Sequence, residues 1–135
     1  MAFEETRQDR KILEGIAPVK ITLAGAVKAG DCLGYDSGWK LSASATIIQP
    51  LLVAGEDGAS GDVITAYPLA VVEAVTTSGN AATVGETVAL KDDGCYQAAG
   101  VGLPDVGCVA SIGSDSLTAI LFLCPMVAQE TVVRS

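Results

Sequence analysis

Apolar and polar side chains alternate along most of this chain with a period of two residues. Apolar Val19, Ile21 and Leu23 alternate with polar Lys20 and Thr22. Successive side chains of a β-strand lie on opposite faces, so this period indicates a strand with one buried face. We therefore predict a strand here.

Turn signals divide the rest of the chain into further short strands. The Asp36-Ser37-Gly38 turn, followed by alternation around Trp39, predicts a hairpin over residues 31–43. Other strands are predicted at residues 50–54, 62–67, 69–75, 86–90, 95–98, 106–112 and 117–124. With 15 glycines and no long amphipathic pattern in the body, this spacing predicts an all-β, compact sandwich or barrel-like domain.

The last predicted strand is apolar on both faces. Leu117, Ala119, Leu121 and Leu123 share one face, and Ile120, Phe122 and Cys124 share the other. Two interpretations fit: a central strand between two layers, or a strand with one face packed against another subunit. The candidate residues for a core or subunit-contact strand are Leu117, Ile120, Leu121, Phe122 and Leu123.

Residues 1–17 lack the alternation and have helical or disordered character, because their many charged residues leave little to bury. We expect an extended N-terminal arm here and a β-rich domain over residues 18–135, with Gly15 and Pro18 closing off any helix. A neighbour-binding arm and a solvated tail are both possible interpretations. The candidate contact residues of the arm are Phe3, Arg7, Arg10, Lys11, Ile12 and Leu13.

A short unit recurs along the predicted domain. Gly30-Asp31 and Gly85-Glu86 each precede an apolar strand and an Asp/Gly turn, and Gly61-Asp62 begins a shorter copy. Glycine permits the positive φ that tight corners need, and the acidic side chain can accept backbone N–H groups. This unit needs no ligand.

The charge of the chain limits its partners. The formal net charge is −8 and the pI is about 4.2, which repels phosphate backbones and anionic membrane surfaces. We therefore expect no direct nucleic-acid partner and no membrane partner. The start of the chain is acidic where a signal peptide is basic, and the apolar run at 119–124 is far shorter than the ~20 residues of a membrane helix.

Several kinds of catalytic and metal chemistry are disfavoured. The chain has no histidine, which removes Ser-His-Asp and Cys-His pairs and the commonest metal ligand. Its lysines fall in turns or on exposed faces, which disfavours a Ser-Lys pair. The acidic turns at 56–62 and 92–94 lack the spacing of a calcium loop. Four cysteines without CxxC spacing are interpreted as reduced thiols, with disulfides as the alternative: Cys32, Cys95, Cys108 and Cys124. We predict no enzyme, no metal and no cofactor.

Over residues 18–124 the chain resembles the small phage capsid decoration, or cement, proteins, which have a β-tulip-like domain. The phrases that carry the resemblance are 27–31 (Val-Lys-Ala-Gly-Asp), 52–56 (Leu-Val-Ala-Gly-Glu), 61–63 (Gly-Asp-Val), 84–88 (Val-Gly-Glu-Thr-Val) and 106–110 (Val-Gly-Cys-Val-Ala). The resemblance implies a structural virion protein, made in the host cytoplasm, that binds the outer surface of the mature capsid as a homotrimer. It further implies that the arm clamps neighbouring major capsid protein subunits and stabilises the head.

Two other functions remain open at the level of the sequence. One is a phage tail-tube or baseplate protein, whose subunits would stack into rings. The other is a carbohydrate- or receptor-binding β module, for which Trp39 with Tyr35, Tyr67 and Tyr96 could supply a stacking face.

Overall fold

Eleven β-strands form the described part of the chain, which in a computed structural model comprises residues 3–4, 6–46, 48–76, 82–113 and 117–126. The strands are β1 (Lys11–Ile16), β2 (Val19–Thr22), β3 (Cys32–Tyr35), β4 (Trp39–Leu41), β5 (Leu52–Ala54), β6 (Val63–Tyr67), β7 (Leu69–Val75), β8 (Thr87–Leu90), β9 (Tyr96–Ala98), β10 (Asp105–Ile112) and β11 (Thr118–Leu123). A 3₁₀ turn lies at Ser44–Thr46. In these ranges we find no helix with the length and apolar character needed to span a bilayer.

The strands form two antiparallel sheets. The six-stranded sheet has the order β1-β7-β11-β10-β8-β9, and the five-stranded sheet has the order β2-β6-β5-β3-β4. Both sheets contribute buried side chains to one core, so the predicted all-β sandwich is confirmed. Each strand predicted from the alternation and turn signals is present, within about two residues of its predicted ends.

Two apolar clusters lie on the two faces of the five-stranded sheet. The larger cluster fills the space between the sheets, where Cys32 and Val53 meet Val72 and Leu121 of the six-stranded sheet. The smaller cluster lies on the far side and is covered by the connection that carries Leu23 and Val27. Among the residues that the structure describes, side chains therefore pack against the inner face of the six-stranded sheet only.

The secondary structure expected for residues 1–17 was wrong at Lys11–Ile16, which is the edge strand β1. It pairs with β7, for example Ile12 with Val72 and Ile16 with Leu69. A bulge between Ile12 and Glu14 shifts the register and breaks the period-two pattern by which the other strands were recognised. The chain then bends at Ala17, where φ is +58°, and enters the five-stranded sheet as β2.

The recurring Gly-acid corners have the predicted geometry. Gly30, Gly61 and Gly85 have φ of +82°, +94° and +87°. At each corner the acidic residue accepts a hydrogen bond from the backbone N–H three residues earlier, at 2.8 Å for Asp31, 2.8 Å for Asp62 and 3.0 Å for Glu86. The corners therefore use these carboxylates to fix turns ahead of β3, β6 and β8.

Candidate functional site

The six-stranded sheet has an apolar outer face, which points away from the sandwich core. At its centre, Phe122 of β11 lies between Cys108 of β10 and Val71 of β7 in the strand register. Phe122 is 48% exposed and Ile16, at the sheet edge, is 50% exposed. We define the outer face by its apolar side chains, which are Ile16, Leu69, Val71, Cys108, Ile120, Phe122 and Cys124.

A shallow depression of about 580 Å³ lies in the outer face. Leu69, Phe122 and Cys124 line it together with Val71 and Cys108, so its wall is almost wholly apolar. Asp105 stands at its margin, and partial burial raises the pKa of that carboxyl. The depression thus offers contact with an apolar group, and Asp105 is the one ionisable carboxyl among the residues that line it.

The alternation of β11 explains why the outer face is apolar. Ala119, Leu121 and Leu123 point inward and are fully buried, whereas Ile120 and Phe122 point outward. The described chain covers the inward side only. The first interpretation of this strand, a central strand between two layers, therefore does not hold for the outer side of β11. The second interpretation, contact with another subunit, stays a prediction.

The predicted core or subunit-contact residues divide between the two faces. Leu121 and Leu123 belong to the core, and Ile120 and Phe122 belong to the outer face. Leu117 is exposed just before β11 begins.

A buried cluster of charged side chains ties the N-terminal segment to the domain. The Arg10 guanidinium donates to both carboxylate oxygens of Glu4, from Nε at 2.7 Å and from Nη2 at 2.6 Å. Its Nη1 donates to Asp31, which also accepts from Arg7. Burial opposes the Arg10 charge, but the hydrogen bond to Glu4 and the attraction of the nearby Glu4 and Asp31 carboxylates together outweigh it, so the pKa of Arg10 is raised.

Tyr96 of β9 completes this cluster. Its backbone N–H donates to Glu4 at 2.9 Å, and the Arg10 guanidinium carbon lies 4.8 Å from its ring centroid. Its hydroxyl donates to the carbonyl of Gly30 and lies 3.4 Å from the sulfur of Cys32. These contacts join three separate segments of the chain around one guanidinium. The cluster therefore has a structural role.

The structure places the predicted arm residues in different environments. Phe3 is buried in the main core, and Arg10 is buried among carboxylates, so the expectation that this segment has little to bury was wrong for these two. Arg7 is 24% exposed in its side chain and Ile12 packs partly on the core. Lys11 and Leu13 are exposed on β1. Contact of any of them with a capsid subunit stays a prediction.

The four cysteines are all thiols, and they divide by position. Cys32 and Cys95 are buried, and burial raises the pKa of each to about 12. Cys108 and Cys124 are half-buried in the outer face. Among the described residues, no group of three or more His, Cys, Asp and Glu side chains is placed to hold a metal ion.

The aromatic pair that could stack on a sugar lies on the β3–β4 hairpin. Tyr35 and Trp39 are cross-strand partners, with ring centroids 5.5 Å apart and planes at 80°. Tyr35 is exposed, but Trp39 packs partly on the smaller cluster. The two rings therefore do not form a common flat platform.

Comparisons with known proteins give a match at the level of fold. No family model matches the chain, and no curated protein matches it. Among solved structures, the chain is similar to the head fiber gp8.5 N base of bacteriophage phi29, with 22% identity and a TM-score of 0.53. The alignment covers 79% of this chain and 92% of that chain. At this identity the likeness shows a shared fold.

Sequence analysis did not identify most residues of the outer face and of the charged cluster as candidate site residues. Leu69 and Val71 could have been found, because β7 is apolar at most positions of both faces, as β11 is. Glu4 and Tyr96 lie far apart in sequence, and no local pattern connects them. Only the tertiary structure brings them together.

Proposed function

We propose that this chain is a structural protein of a phage virion that binds the outside of the mature head as a trimer. The fold likeness to the phi29 head fiber N base, which extends over 92% of that chain, is the observation that carries the proposal. In this function the protein clamps neighbouring major capsid protein subunits and stabilises the lattice. It performs no catalysis.

The polar interior supports a structural role. In the part of the chain that the structure describes, every buried side-chain nitrogen or oxygen has a hydrogen-bond partner. The buried charged groups of Glu4, Arg10 and Asp31 form hydrogen bonds with one another and with the backbone. Such satisfied networks fix the fold, whereas a catalytic group needs a polar atom directed at a substrate.

The charge of the chain favours the outside of the shell. At −8 the protein is repelled by packaged nucleic acid, whose phosphates would face it on the inside. A ligand that binds only the mature lattice stabilises it by about 2.7 kcal/mol at 100 times its Kd. Synthesis in the host cytoplasm, followed by addition to completed heads, belongs to this proposal.

Phage heads prepared without this protein provide the direct test. Purified protein should sediment with mature heads, raise the temperature at which they release DNA, and add density to their outer surface in electron microscopy. Leu13→Asp should weaken binding, because Leu13 is exposed on β1 and its loss leaves the core unchanged. Val101→Asp, in an exposed loop, is the matched control. Absence of added density on mature heads would overturn the proposal.

The exposed Tyr35 ring supports a second candidate, binding of a carbohydrate receptor. Glycan-array binding that disappears in Tyr35→Ala, with head binding absent, would favour this second function. A tail-tube role, the remaining alternative, predicts open-ended tubes of purified protein in the microscope.

A further inference from the structure

We propose that the outer face of the six-stranded sheet binds a segment of a head protein in which an apolar side chain lies close to Lys or Arg. The apolar side chain enters the depression beside Phe122, and the cation contacts Asp105 at its margin. This inference rests on the proposed function for the partner being a head protein. The chemistry of the segment follows from the depression and from the charged groups around it.

The depression is suited to an apolar side chain. Val71, Phe122 and Cys108 form one row across it, because they are Cα partners in β7, β11 and β10. Leu69 lines the depression as well. The Phe122 ring is exposed, so a partner side chain that covers it removes apolar surface of both molecules from water. This contact supplies affinity, and the charged groups beside it select the partner.

Asp105 is a carboxyl group without a partner in the described part of the chain. Its side chain forms no hydrogen bond or ion pair there, unlike those of Asp31, Asp62 and Glu86, which accept backbone N–H groups. Partial burial raises its pKa, and no nearby cation opposes this effect. A partly desolvated carboxylate is stabilised when a cation approaches it. Lys or Arg of a partner segment supplies that cation.

The position of Asp105 on β10 limits the spacing within the partner segment. Asp105 precedes Cys108 by three positions, which is at most about 10 Å of strand. In an extended segment, side chains two residues apart point the same way and lie about 7 Å from one another. We therefore expect the Lys or Arg within about two residues of the apolar side chain.

The other charged side chains of the outer face are mainly acidic. Glu14 is the Cα partner of Val71, and Glu73 lies two positions after Val71 on β7, so both are on the outward side. The six strands of this sheet contain three carboxylates, with Asp105 the third, and one cation, Lys11. At a net charge of −8, the chain repels a second copy at this face and attracts a basic segment.

Nuclear magnetic resonance with three synthetic peptides of equal length tests this chemistry. The basic apolar peptide contains Lys-Leu-Ser-Leu-Lys, and its controls contain Glu-Leu-Ser-Leu-Glu and Lys-Ser-Ser-Ser-Lys. In titrations up to millimolar concentration, the first should shift the amide signals of Phe122 and Cys108. It should bind at least about tenfold more tightly than either control, because it alone offers both an apolar side chain and a cation.

The same titration on variants tests the role of Asp105. Asp105→Asn should weaken binding of the basic apolar peptide about three- to tenfold, because the cation loses a partly desolvated carboxylate. Asp36→Asn is the matched control: it removes an exposed carboxylate from the β3–β4 hairpin of the other sheet and should leave the affinity unchanged.

Phage heads prepared without this protein test the same residues in the proposed function. Asp105→Asn and Phe122→Ser should both weaken binding to heads, whereas Asp36→Asn should bind as the wild type does. Circular dichroism checks that each variant is folded. Asp105→Asn keeps the shape of the side chain, so it decides the inference if Phe122→Ser fails to fold.

The outcomes separate this inference from the proposed function. Head binding that is unchanged in Asp105→Asn and Phe122→Ser would overturn the inference and leave the proposed function intact. Equal affinity for the acidic and the basic apolar peptides would overturn the cationic partner. Shifts of the Phe122 amide with protein concentration alone would assign the face to a second copy and also overturn the inference. Binding of the basic apolar peptide without binding to heads would overturn the proposed function and leave the chemistry of the face intact.

Discussion

At the residue scale, Arg10 connects the N-terminal segment to the domain through charges that are removed from water. Its guanidinium satisfies Glu4 and Asp31, and both acceptors are buried. A buried ion pair adds little net stability compared with an apolar pair, because desolvation offsets its attraction. Removal of one partner is costly, however, because the other charge stays buried without compensation.

We expect Arg10→Ala to lower the free energy of unfolding by about 3–5 kcal/mol, because it leaves the carboxylate of Glu4 buried without a cation and removes one of the two guanidinium groups that contact Asp31. The midpoint of urea denaturation measures this change. Arg7→Ala is the control: Arg7 is 24% exposed in its side chain and should cost about 1 kcal/mol or less. Equal effects of the two substitutions would contradict this account of the cluster.

The buried thiols give a second prediction. Burial raises the pKa of Cys32 and of Cys95 to about 12, so neither forms the reactive thiolate near neutral pH. At about pH 8, iodoacetamide should leave both unmodified in the native protein and modify all four cysteines after unfolding in urea. Intact-mass and peptide mass spectrometry report the sites. Rapid native modification of Cys32 would show that the core between the sheets opens readily.

At the element scale, strands with strict alternation could be predicted from the sequence, and β1 could not. The pattern of β2 and of β4 is visible in the sequence because both strands have exposed or half-exposed side chains. In β1 the bulge at Leu13 displaces the register, and the adjacent charged residues suggest solvent exposure. Burial of Glu4 depends on Tyr96, and residues so distant in sequence leave no local signal.

The outer face could be predicted in part. Both faces of β11 are apolar in the sequence, which correctly marked Phe122 as a residue that needs explanation. Its neighbours Leu69 and Cys108 belong to strands that are adjacent only through the sheet order β7-β11-β10. That order is a tertiary property, which the alternation of single strands does not contain.

Close approach of β10 to β11 makes a prediction about this strand pair. A Cβ at Gly107 would lie 1.9 Å from the carbonyl oxygen of Phe122, and a backbone atom in a paired strand cannot move aside. Gly107→Ala should therefore lower the free energy of unfolding by about 1–3 kcal/mol. Gly25→Ala is the control, because the nearest atom to its Cβ is Lys40 Cγ at 4.0 Å. Thermal denaturation should show no loss for Gly25→Ala, and equal loss in both would contradict the close approach.

At the scale of the whole molecule, the acidic charge of the protein couples association to ionic strength. In the proposed trimer each copy carries a charge of −8, so the copies repel one another and the contact between them must offset this repulsion. Salt shortens the range of the repulsion, from a Debye length of about 30 Å at 0.01 M to about 8 Å at 0.15 M. It does not weaken apolar contacts.

The trimer should therefore become more stable as salt is added. Sedimentation equilibrium should show a lower dissociation constant at about 0.15 M NaCl than at about 0.01 M, because the longer Debye length at low salt leaves the repulsion unscreened. Lys11→Glu, which makes each copy more acidic at the margin of the face, should increase this salt dependence, whereas Lys11→Gln should change it less. An association that weakens with salt would mean that ion pairs between copies supply the attraction.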